Sequence, residues 1–253
     1  MNKIVSKDLS YSGFCQVCDK THSLPSEKAI AHCFDLMTQL RAHCSIALIN
    51  QKENTNLRLS TANLYSTQGG EMFGVLVCED ANGNEVILRA FSSTHNGLWN
   101  VEGWAPHLVS ENDFMEIVKK GNLEIHPLTK SIDRLEKKSE QWLLKTTERK
   151  SISQNIHKQL FDLYEVTNFK KEKRSLADAL INKKRIPNGT GDCCAPKLLN
   201  YASTNNLKPV SIAEFYWGRT SPSGDKVEGE FYSSCIDKCQ PLLGFMMCGI
   251  EDL

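Results

Sequence analysis

The sequence lacks long hydrophobic runs and carries no excess of either charge. None of its apolar runs approaches the roughly 20 residues that a membrane-spanning helix needs, and residues 1–9 (MNKIVSKDL) do not contain the apolar stretch of a secretion signal. The 30 basic and 30 acidic side chains balance, so the composition does not indicate a nucleic acid or another charged partner. We therefore expect a soluble cytoplasmic protein of one large domain or two small ones.

The chain has ten cysteines. In a reducing compartment they are not expected to form a disulfide framework, so clustered cysteines favour metal binding and isolated ones favour core packing. Four cysteines lie alone in apolar or helical runs and are predicted to be small buried side chains: Cys33, Cys44, Cys78 and Cys248.

Two cysteine clusters lie at opposite ends of the C-terminal third. Cys193 and Cys194 follow the loop Gly189-Thr190-Gly191-Asp192, and Cys235 and Cys239 precede a proline. Each cluster is next to a predicted helix start, where the helix dipole lowers the pKa of a thiol. We expect Cys193, Cys235 and Cys239 to bind one zinc ion, with Cys194 as the candidate fourth ligand.

A third cluster lies near the N-terminus. Cys15 and Cys18 are separated by two residues, and His22 follows four residues after Cys18, as in half of a zinc site. This spacing predicts a separate structural site that ties the N-terminus to the first helix. The spacing does not assign the fourth ligand, for which four residues of that helix are candidates: His32, Cys33, His43 and Cys44.

Apolar periodicity divides the rest of the chain into helices and strands around a long polar insertion. It predicts a helix after Ser26, a β-hairpin over residues 70–91 with its turn at Asn82-Gly83, and a helix, a strand and a helix in the C-terminal third. The expected segments are a zinc knuckle (1–25), the first half of an α/β domain (26–109), a helical insertion (110–185) and the second half of that domain with the cysteine site (186–253).

The insertion is predicted to contain one long polar helix from about Ser131 to Phe169. Its apolar stripe is sparse and its flanks are charged, as in a coiled-coil helix that projects from the body or pairs with a partner helix. This pattern makes self-association through the helix a hypothesis. Basic residues close the insertion, and they indicate either a solvated charge run or a surface for RNA: Lys170-Lys171, Lys173-Arg174 and Lys183-Lys184-Arg185.

Four segments carry a resemblance to a known family. They are EMFGVLV (71–77), GTGDCCAPKLLNYA (189–202), LKPVSIAEFYWG (207–218) and FYSSCIDKCQPLLGFMMCG (231–249). They resemble the long N-terminal region ahead of the catalytic domain in some large RluA-family pseudouridine synthases. The resemblance implies an association with RNA modification. The chain ends at Leu253 without the synthase catalytic domain, so we do not expect it to isomerise uridine.

The predicted order of helix, hairpin, helix, strand and helix resembles the cytidine deaminase-like fold. That resemblance implies a three-layer α/β protein with the long coiled-coil-like insertion before its second helix. In that fold one zinc ligand begins the second helix, two begin the third, and a glutamate two residues after the first ligand moves protons. Cys193 matches the first ligand, and Cys235 and Cys239 match the pair with a wider spacing. Ala195 stands where the glutamate is expected.

Deamination therefore needs a carboxylate from elsewhere in the chain. Asp192 lies beside the first ligand, and Glu214 lies on the strand between the two cysteine clusters. Both are candidate catalytic residues. The alternative roles are a helix N-cap for Asp192 and an ion pair or a sheet-edge charge for Glu214.

Three functions remain open from the sequence. The first is a zinc-binding, deaminase-like protein of RNA or nucleoside modification that acts as a hydrolytic deaminase. The second is a non-catalytic module in which zinc stabilises the fold and the residues Phe215-Tyr216-Trp217 contact RNA. The third is thiol chemistry at Cys193, with Gly189 and Gly191 forming an anion-binding loop.

Overall fold

The computed structural model describes residues 9–47, 56–67, 69–181 and 186–253. Its strands are β1 (Tyr11–Cys15), β2 (Lys20–Leu24), β3 (Glu71–Glu79), β4 (Glu85–Phe91), β5 (Glu165–Thr167), β6 (Lys173–Ser175), β7 (Lys208–Trp217) and β8 (Phe231–Tyr232). Its helices are α1 (Glu27–His43), α2 (Glu111–Ile132), α3 (Glu140–Asp162), α4 (Leu176–Ala179), α5 (Cys194–Thr204) and α6 (Gln240–Met246). Within these residues, each helix is too short or too polar to cross a lipid bilayer.

A four-stranded antiparallel sheet with the order β4-β3-β7-β8 forms the centre of the fold. Side chains on β3 alternate between the two faces because successive residues of a strand point to opposite sides. Phe73, Val75 and Val77 pack on the side of α1, whereas Leu76 and Cys78 pack on the side of α5. Helices thus cover both faces, and the α/β class expected from the sequence is confirmed.

The predicted hairpin over residues 70–91 corresponds to β3 and β4. The carboxylate of Asp80 accepts hydrogen bonds from the backbone N–H groups of Asn82 and Asn84, both at 2.8 Å, and Gly83 has a φ of +79°. Such a positive φ favours glycine because a side chain would clash with the backbone there. The turn residues in the sequence therefore predicted this hairpin correctly.

The helical insertion differs from its prediction, because two helices replace the single long one. Helix α2 ends at Ile132, residues 133–139 form a turn in which Lys138 has a φ of +68°, and the hydroxyl of Ser139 accepts a hydrogen bond from the N–H of Trp142 to begin α3. The two helices pack on each other, with Gly121 against the side chain of Ile156. The sparse apolar stripe of the insertion thus packs on a partner helix of the same chain.

The basic residues of the insertion also lie on a different element from the one expected. Lys170 and Lys171 lie in the loop between β5 and β6, and the pair Lys173-Arg174 lies on β6, not on a helix. The guanidinium of Arg174 lies 4.9 Å from the ring centre of Phe245, and the ammonium of Lys171 donates to a backbone carbonyl. Residues 183–185 lie outside the described residues. The described part of this charged run is therefore largely engaged within the molecule.

The two ends of the chain meet where the β1–β2 hairpin packs on α6. Gly13 and Gly244 allow the close approach, because a Cβ on Gly244 would lie 2.0 Å from the backbone oxygen of Phe14. Backbone atoms cannot move aside as a flexible side chain can. Glycine at this position is therefore a packing requirement.

We predict that Gly244→Ala lowers the free energy of unfolding by about 2–3 kcal/mol, because the new methyl group overpacks the contact between α6 and β1. Urea denaturation followed by circular dichroism measures the change. Gly83→Asn is the matched control, since a Cβ there has open space and asparagine tolerates a positive φ. Equal stability of Gly244→Ala and the wild type would contradict this account of the packing.

Candidate metal centres

Three cysteines from two parts of the C-terminal third come together at the start of α5. The sulfur atoms of Cys193, Cys235 and Cys239 all lie within 4.8 Å of one another, and those of Cys235 and Cys239 are 3.2 Å apart. Cys193 is the N-cap of α5, and the carbonyl of Cys235 accepts hydrogen bonds from the N–H groups of Cys239 and Gln240 at 3.1 Å. That turn places the sulfur atoms of Cys235 and Cys239 next to each other.

The geometry of the three sulfurs suits a tetrahedral metal ion. Two ligands at about 2.3 Å from a shared zinc are separated by at most about 4.6 Å, close to the spacing found here. Cys239 is buried, Cys193 is half-buried and Cys235 is exposed. Among the described residues this group offers only three ligand atoms, which leaves one tetrahedral position without a protein ligand. We call these three residues the three-cysteine centre.

Hydrogen bonds between the three thiols concentrate negative charge on one sulfur. The hydrogen bonds of Cys235 with Cys193 and Cys239 lower the pKa of Cys235, whereas the hydrogen bond with Cys193, followed by that with Cys235, raises the pKa of Cys239. The hydrogen bond with Cys235 raises the pKa of Cys193 to about 12. A raised pKa leaves less thiolate at Cys193, which does not favour the nucleophilic thiol chemistry considered for it. A bound cation would displace these protons.

Cys194 does not join the three-cysteine centre. Its side chain is fully buried, and its thiol donates to the carbonyl of Met72 on β3 at 3.3 Å. The sulfur points into the core because Cys193 and Cys194 leave the helix start in different directions. The expectation that Cys194 closes the metal shell is therefore not supported.

Glu214 reaches the first turn of α5 from the neighbouring strand β7. Its carboxylate is buried and accepts a hydrogen bond of 2.7 Å from the backbone N–H of Ala195. Ala195 is the position where the deaminase resemblance expects a glutamate, so a carboxylate is present there although it comes from another element. Burial raises the pKa of Glu214 to about 7, and the charge of Cys235 adds to the rise. Among the described residues Glu214 forms no ion pair, and its strand β7 lies inside the sheet, so neither alternative role, an ion pair or a sheet-edge charge, is found.

Gly74 makes room for this arrangement. It pairs with Glu214 across β3 and β7, and a Cβ on it would lie 2.6 Å from the Cβ of Cys194 and 3.3 Å from the Cγ of Glu214. The helix start and the carboxylate can meet because this residue has no side chain. The glycine within the run EMFGVLV was the signal in the sequence that could have indicated this contact.

Asp192 has other partners. Its carboxylate accepts a hydrogen bond of 2.7 Å from the hydroxyl of Tyr164 and lies 4.0 Å from the Nδ1 of His107. Cys193, not Asp192, is the N-cap of α5. Asp192 therefore anchors the start of α5 to the end of the insertion. Of the two candidate catalytic carboxylates, Glu214 is the better placed for acid–base chemistry.

A second centre joins the two ends of the chain. Cys15, Cys18, His22 and Cys248 offer four ligand atoms that all lie within 4.8 Å of one another. Nε2 of His22 is 3.1 Å from the sulfur of Cys18, and Nδ1 of His22 is 2.8 Å from a carboxylate oxygen of Glu251. A carboxylate behind a ligating histidine fixes the ring and its tautomer, as in many metal sites. We call this group the four-ligand centre.

The fourth member of this centre was not among the residues expected. His32 lies 3.3 Å from Glu85, the thiol of Cys33 is 3.7 Å from the carbonyl of Ala213, and α1, which carries both, packs on the sheet. Two further candidates also lie outside the centre: His43 and Cys44. Cys248 is buried as predicted, yet it faces ligand atoms as well as the core.

The aromatic residues considered for RNA contact are inside the protein. Phe215, Tyr216 and Trp217 are at most 4% exposed, and their strand is covered by helices. A side chain must present a free face to stack on a base. These three residues therefore contribute to the core and do not form a surface for RNA.

No protein family, curated protein or solved structure matches this chain. The class of protein is therefore defined by its own geometry: an α/β protein with two groups of cysteine and histidine side chains that can hold metal ions.

We predict that Cys248→Ser removes one metal ion per chain and lowers the melting temperature by about 4 °C or more, because a closed metal site contributes directly to folding. Elemental analysis and calorimetry measure the two effects. Cys44→Ser is the control, since Cys44 is exposed, contrary to the prediction that it is buried, and lies outside both centres. An unchanged metal content in Cys248→Ser would exclude this residue as a ligand.

We predict that Cys239→Ser also removes one metal ion per chain, and that the double variant with Cys248→Ser removes two, because the two centres have no ligand in common. The adjacent pair of cysteines provides the control: Cys194→Ala keeps the full metal content, whereas Cys193→Ser loses one ion. Equal metal content in Cys193→Ser and Cys194→Ala, measured by elemental analysis, would contradict the assignment of the three-cysteine centre.

Proposed function

We propose that this protein is a zinc-dependent hydrolytic deaminase that acts on an amino-bearing base in RNA or a nucleoside. The observation that supports it best is the carboxylate of Glu214 at the N–H of Ala195, next to Cys193 of the three-cysteine centre. The association with RNA modification rests on the segments that resemble the N-terminal region of large RluA-family pseudouridine synthases.

The arrangement of the elements supports a cytidine deaminase-like fold. Helix α1, the β3–β4 hairpin, α5, β7 and α6 follow one another in the order of that fold, with α2 and α3 inserted before α5. Cys193 begins the second helix of this series, and Cys235 and Cys239 precede the third. This order supports the assignment of the three cysteines to the ligand positions that the resemblance implies.

The ligand set supports zinc as the metal. Thiolates are soft donors that favour zinc over magnesium or calcium, and three protein ligands with one free position are typical of catalytic zinc sites. The four-ligand centre, in contrast, has no free position and supports a structural role. The three cysteines would hold the zinc ion, which would supply Lewis-acid chemistry for the activation of water.

Glu214 carries the proton in this proposal. It takes a proton from the water that attacks the ring carbon and gives it to the exocyclic amine, so that a C–O bond forms, the C–N bond breaks and ammonia leaves. The buried carboxyl suits both steps because burial raises its pKa to about 7, where it can accept and donate near neutral pH. The hydrogen bond from Ala195 holds it in position.

We predict that Glu214→Gln lowers the rate of ammonia release from cytidine, adenosine or RNA by about 10²-fold or more while the zinc content stays unchanged. Glu85→Gln, on the exposed end of the same sheet, is the control and should keep the wild-type rate. Wild-type protein that is fully loaded with zinc and releases no ammonia from these substrates would refute the deaminase and favour the non-catalytic, zinc-stabilised module.

A further inference from the structure

Two cysteines of one surface turn lie nearly in contact. Cys235 and Cys239 are separated by three residues, residues 236–239 form a turn that leads into α6, and the two sulfur atoms are 3.2 Å apart. The N–H of Cys239 donates to the carbonyl of Cys235 at 3.1 Å and closes the turn. A disulfide has an S–S length of about 2.0 Å, so the two sulfurs need to approach by about 1.2 Å to form one.

Exposure distinguishes Cys235 from the other two members of the three-cysteine centre. Cys235 is exposed, and its neighbour Ile236 is 73% exposed, so solvent reaches this part of the turn. Cys239 is buried, and Cys193 is half-buried on a different element, the start of α5. Oxidation of a cysteine follows its exposure and its thiolate character. A dissolved oxidant therefore meets Cys235 first.

The four-ligand centre is better protected from an oxidant. Cys15 and Cys248 are 0% exposed, His22 is 2% exposed, and Cys18 is half-buried. This group supplies four ligand atoms, so a tetrahedral ion held by them has no open position for an attacking molecule. The two centres of one chain should therefore respond differently to the same oxidant.

The two neighbouring sulfurs can react with a peroxide in two steps. The sulfur of Cys235 attacks one oxygen of hydrogen peroxide, so that an S–O bond forms, the O–O bond breaks and hydroxide leaves. The sulfur of Cys239 then attacks the sulfur of Cys235, so that an S–S bond forms, the S–O bond breaks and a second hydroxide leaves. Two protons, from the thiols or from solvent where a metal ion has displaced them, convert the hydroxides to water. The two sulfurs lose two electrons, and one peroxide molecule gains them.

Formation of this disulfide would remove two of the three candidate ligands. A cysteine binds a metal ion as the thiolate, and the sulfurs of a disulfide carry no negative charge. Among the described residues, the three-cysteine centre would keep Cys193 alone. One protein ligand does not hold the ion, because zinc sites use three or four.

We propose that Cys235 is an oxidation site, and that a peroxide converts Cys235 and Cys239 to a disulfide that releases the metal ion of the three-cysteine centre. The release is selective, since the four-ligand centre keeps its ion. A dithiol that reduces the disulfide restores the centre. This inference rests on the metal binding in the proposed function and not on the deaminase reaction, which it would place under the control of an oxidant.

Metal release tests the proposal in wild-type protein that is loaded with zinc at both centres. Hydrogen peroxide is added, and a chelator that changes colour on binding zinc follows the ions that leave. We expect one ion per chain to leave at least about tenfold faster than the other. After the peroxide is removed, dithiothreitol and zinc should restore the original metal content, as measured by elemental analysis.

Peptide mapping identifies the bond that forms. Trypsin cleaves after Lys238, between the two cysteines, so the disulfide joins peptide 227–238 to the peptide that begins at Cys239. Cys235 is the single cysteine of peptide 227–238. Fragmentation of the linked pair in a mass spectrometer distinguishes Cys239 from Cys248, which lies in the same peptide. We expect the link between Cys235 and Cys239 to appear at the rate at which the first zinc ion leaves.

Two variants serve as controls. Cys44→Ser removes another exposed cysteine, which lies outside both centres, and should leave the zinc release and the linked peptides unchanged. Cys235→His keeps a ligand atom for zinc but removes the thiol, so its first ion should leave about tenfold more slowly than that of the wild type. If Cys235→His holds only one ion before oxidation, the peptide map of the wild type decides the question.

Four results would overturn the proposal: a wild type without zinc at the three-cysteine centre, release of both ions at the same rate, zinc release without linked peptides, or a disulfide that joins Cys193 to either partner. Its failure is distinct from that of the deaminase, because these measurements use no substrate. Ammonia release by a protein that keeps both ions in peroxide would refute only the oxidation site. Selective zinc release without ammonia from any substrate would support the oxidation site and refute only the deaminase.

Discussion

The contact between the start of α5 and the sheet at Gly74 determines where the chemical groups of this protein lie. Because Gly74 has no side chain, α5 approaches β3 and β7 closely enough for the N–H of Ala195 to reach the buried carboxylate of Glu214. The same approach turns Cys194 into the core and leaves Cys193 on the side of Cys235 and Cys239. One short contact thus separates a packing cysteine, Cys194, from a candidate ligand, Cys193, and brings a carboxylate to the helix start that carries this candidate ligand.

Helix α6 connects the two centres. Cys239 is its N-cap, and Cys248 follows shortly after its last residue, Met246. The helix is short and buried, so it transmits the position of one end to the other as a rigid element. The four-ligand centre and the contact between Gly13 and Gly244 hold this helix against the β1–β2 hairpin. The four-ligand centre therefore lies at the opposite end of α6 from Cys239 of the three-cysteine centre.

Local signals in the sequence allowed the hairpin, the cysteine clusters and the α/β class to be predicted. The turn around Gly83 and the short cysteine spacings involve only a few neighbouring residues, so they can be recognised in a single sequence. Cys248 was missed because its partners lie at the other end of the chain, and an isolated cysteine in an apolar run is typical of a core residue. The break at residues 133–139 was missed because apolar residues continue on both sides of it, and the turn depends on one residue with a positive φ, Lys138. The contact of Glu214 with the start of α5 depends on the pairing of strands that are distant in sequence.

The insertion between β4 and α5 begins and ends at nearly the same point, where Ser93 and Asp192 share a backbone hydrogen bond. Its two helices pack mainly on each other and therefore form a closed loop attached to the core. The entropy lost on closing a loop grows only with the logarithm of its length, and each doubling costs about 0.6 kcal/mol. A longer insertion would therefore lower the free energy of unfolding only slightly. The length of the insertion is thus less constrained by the two centres than the length of any other part of the protein.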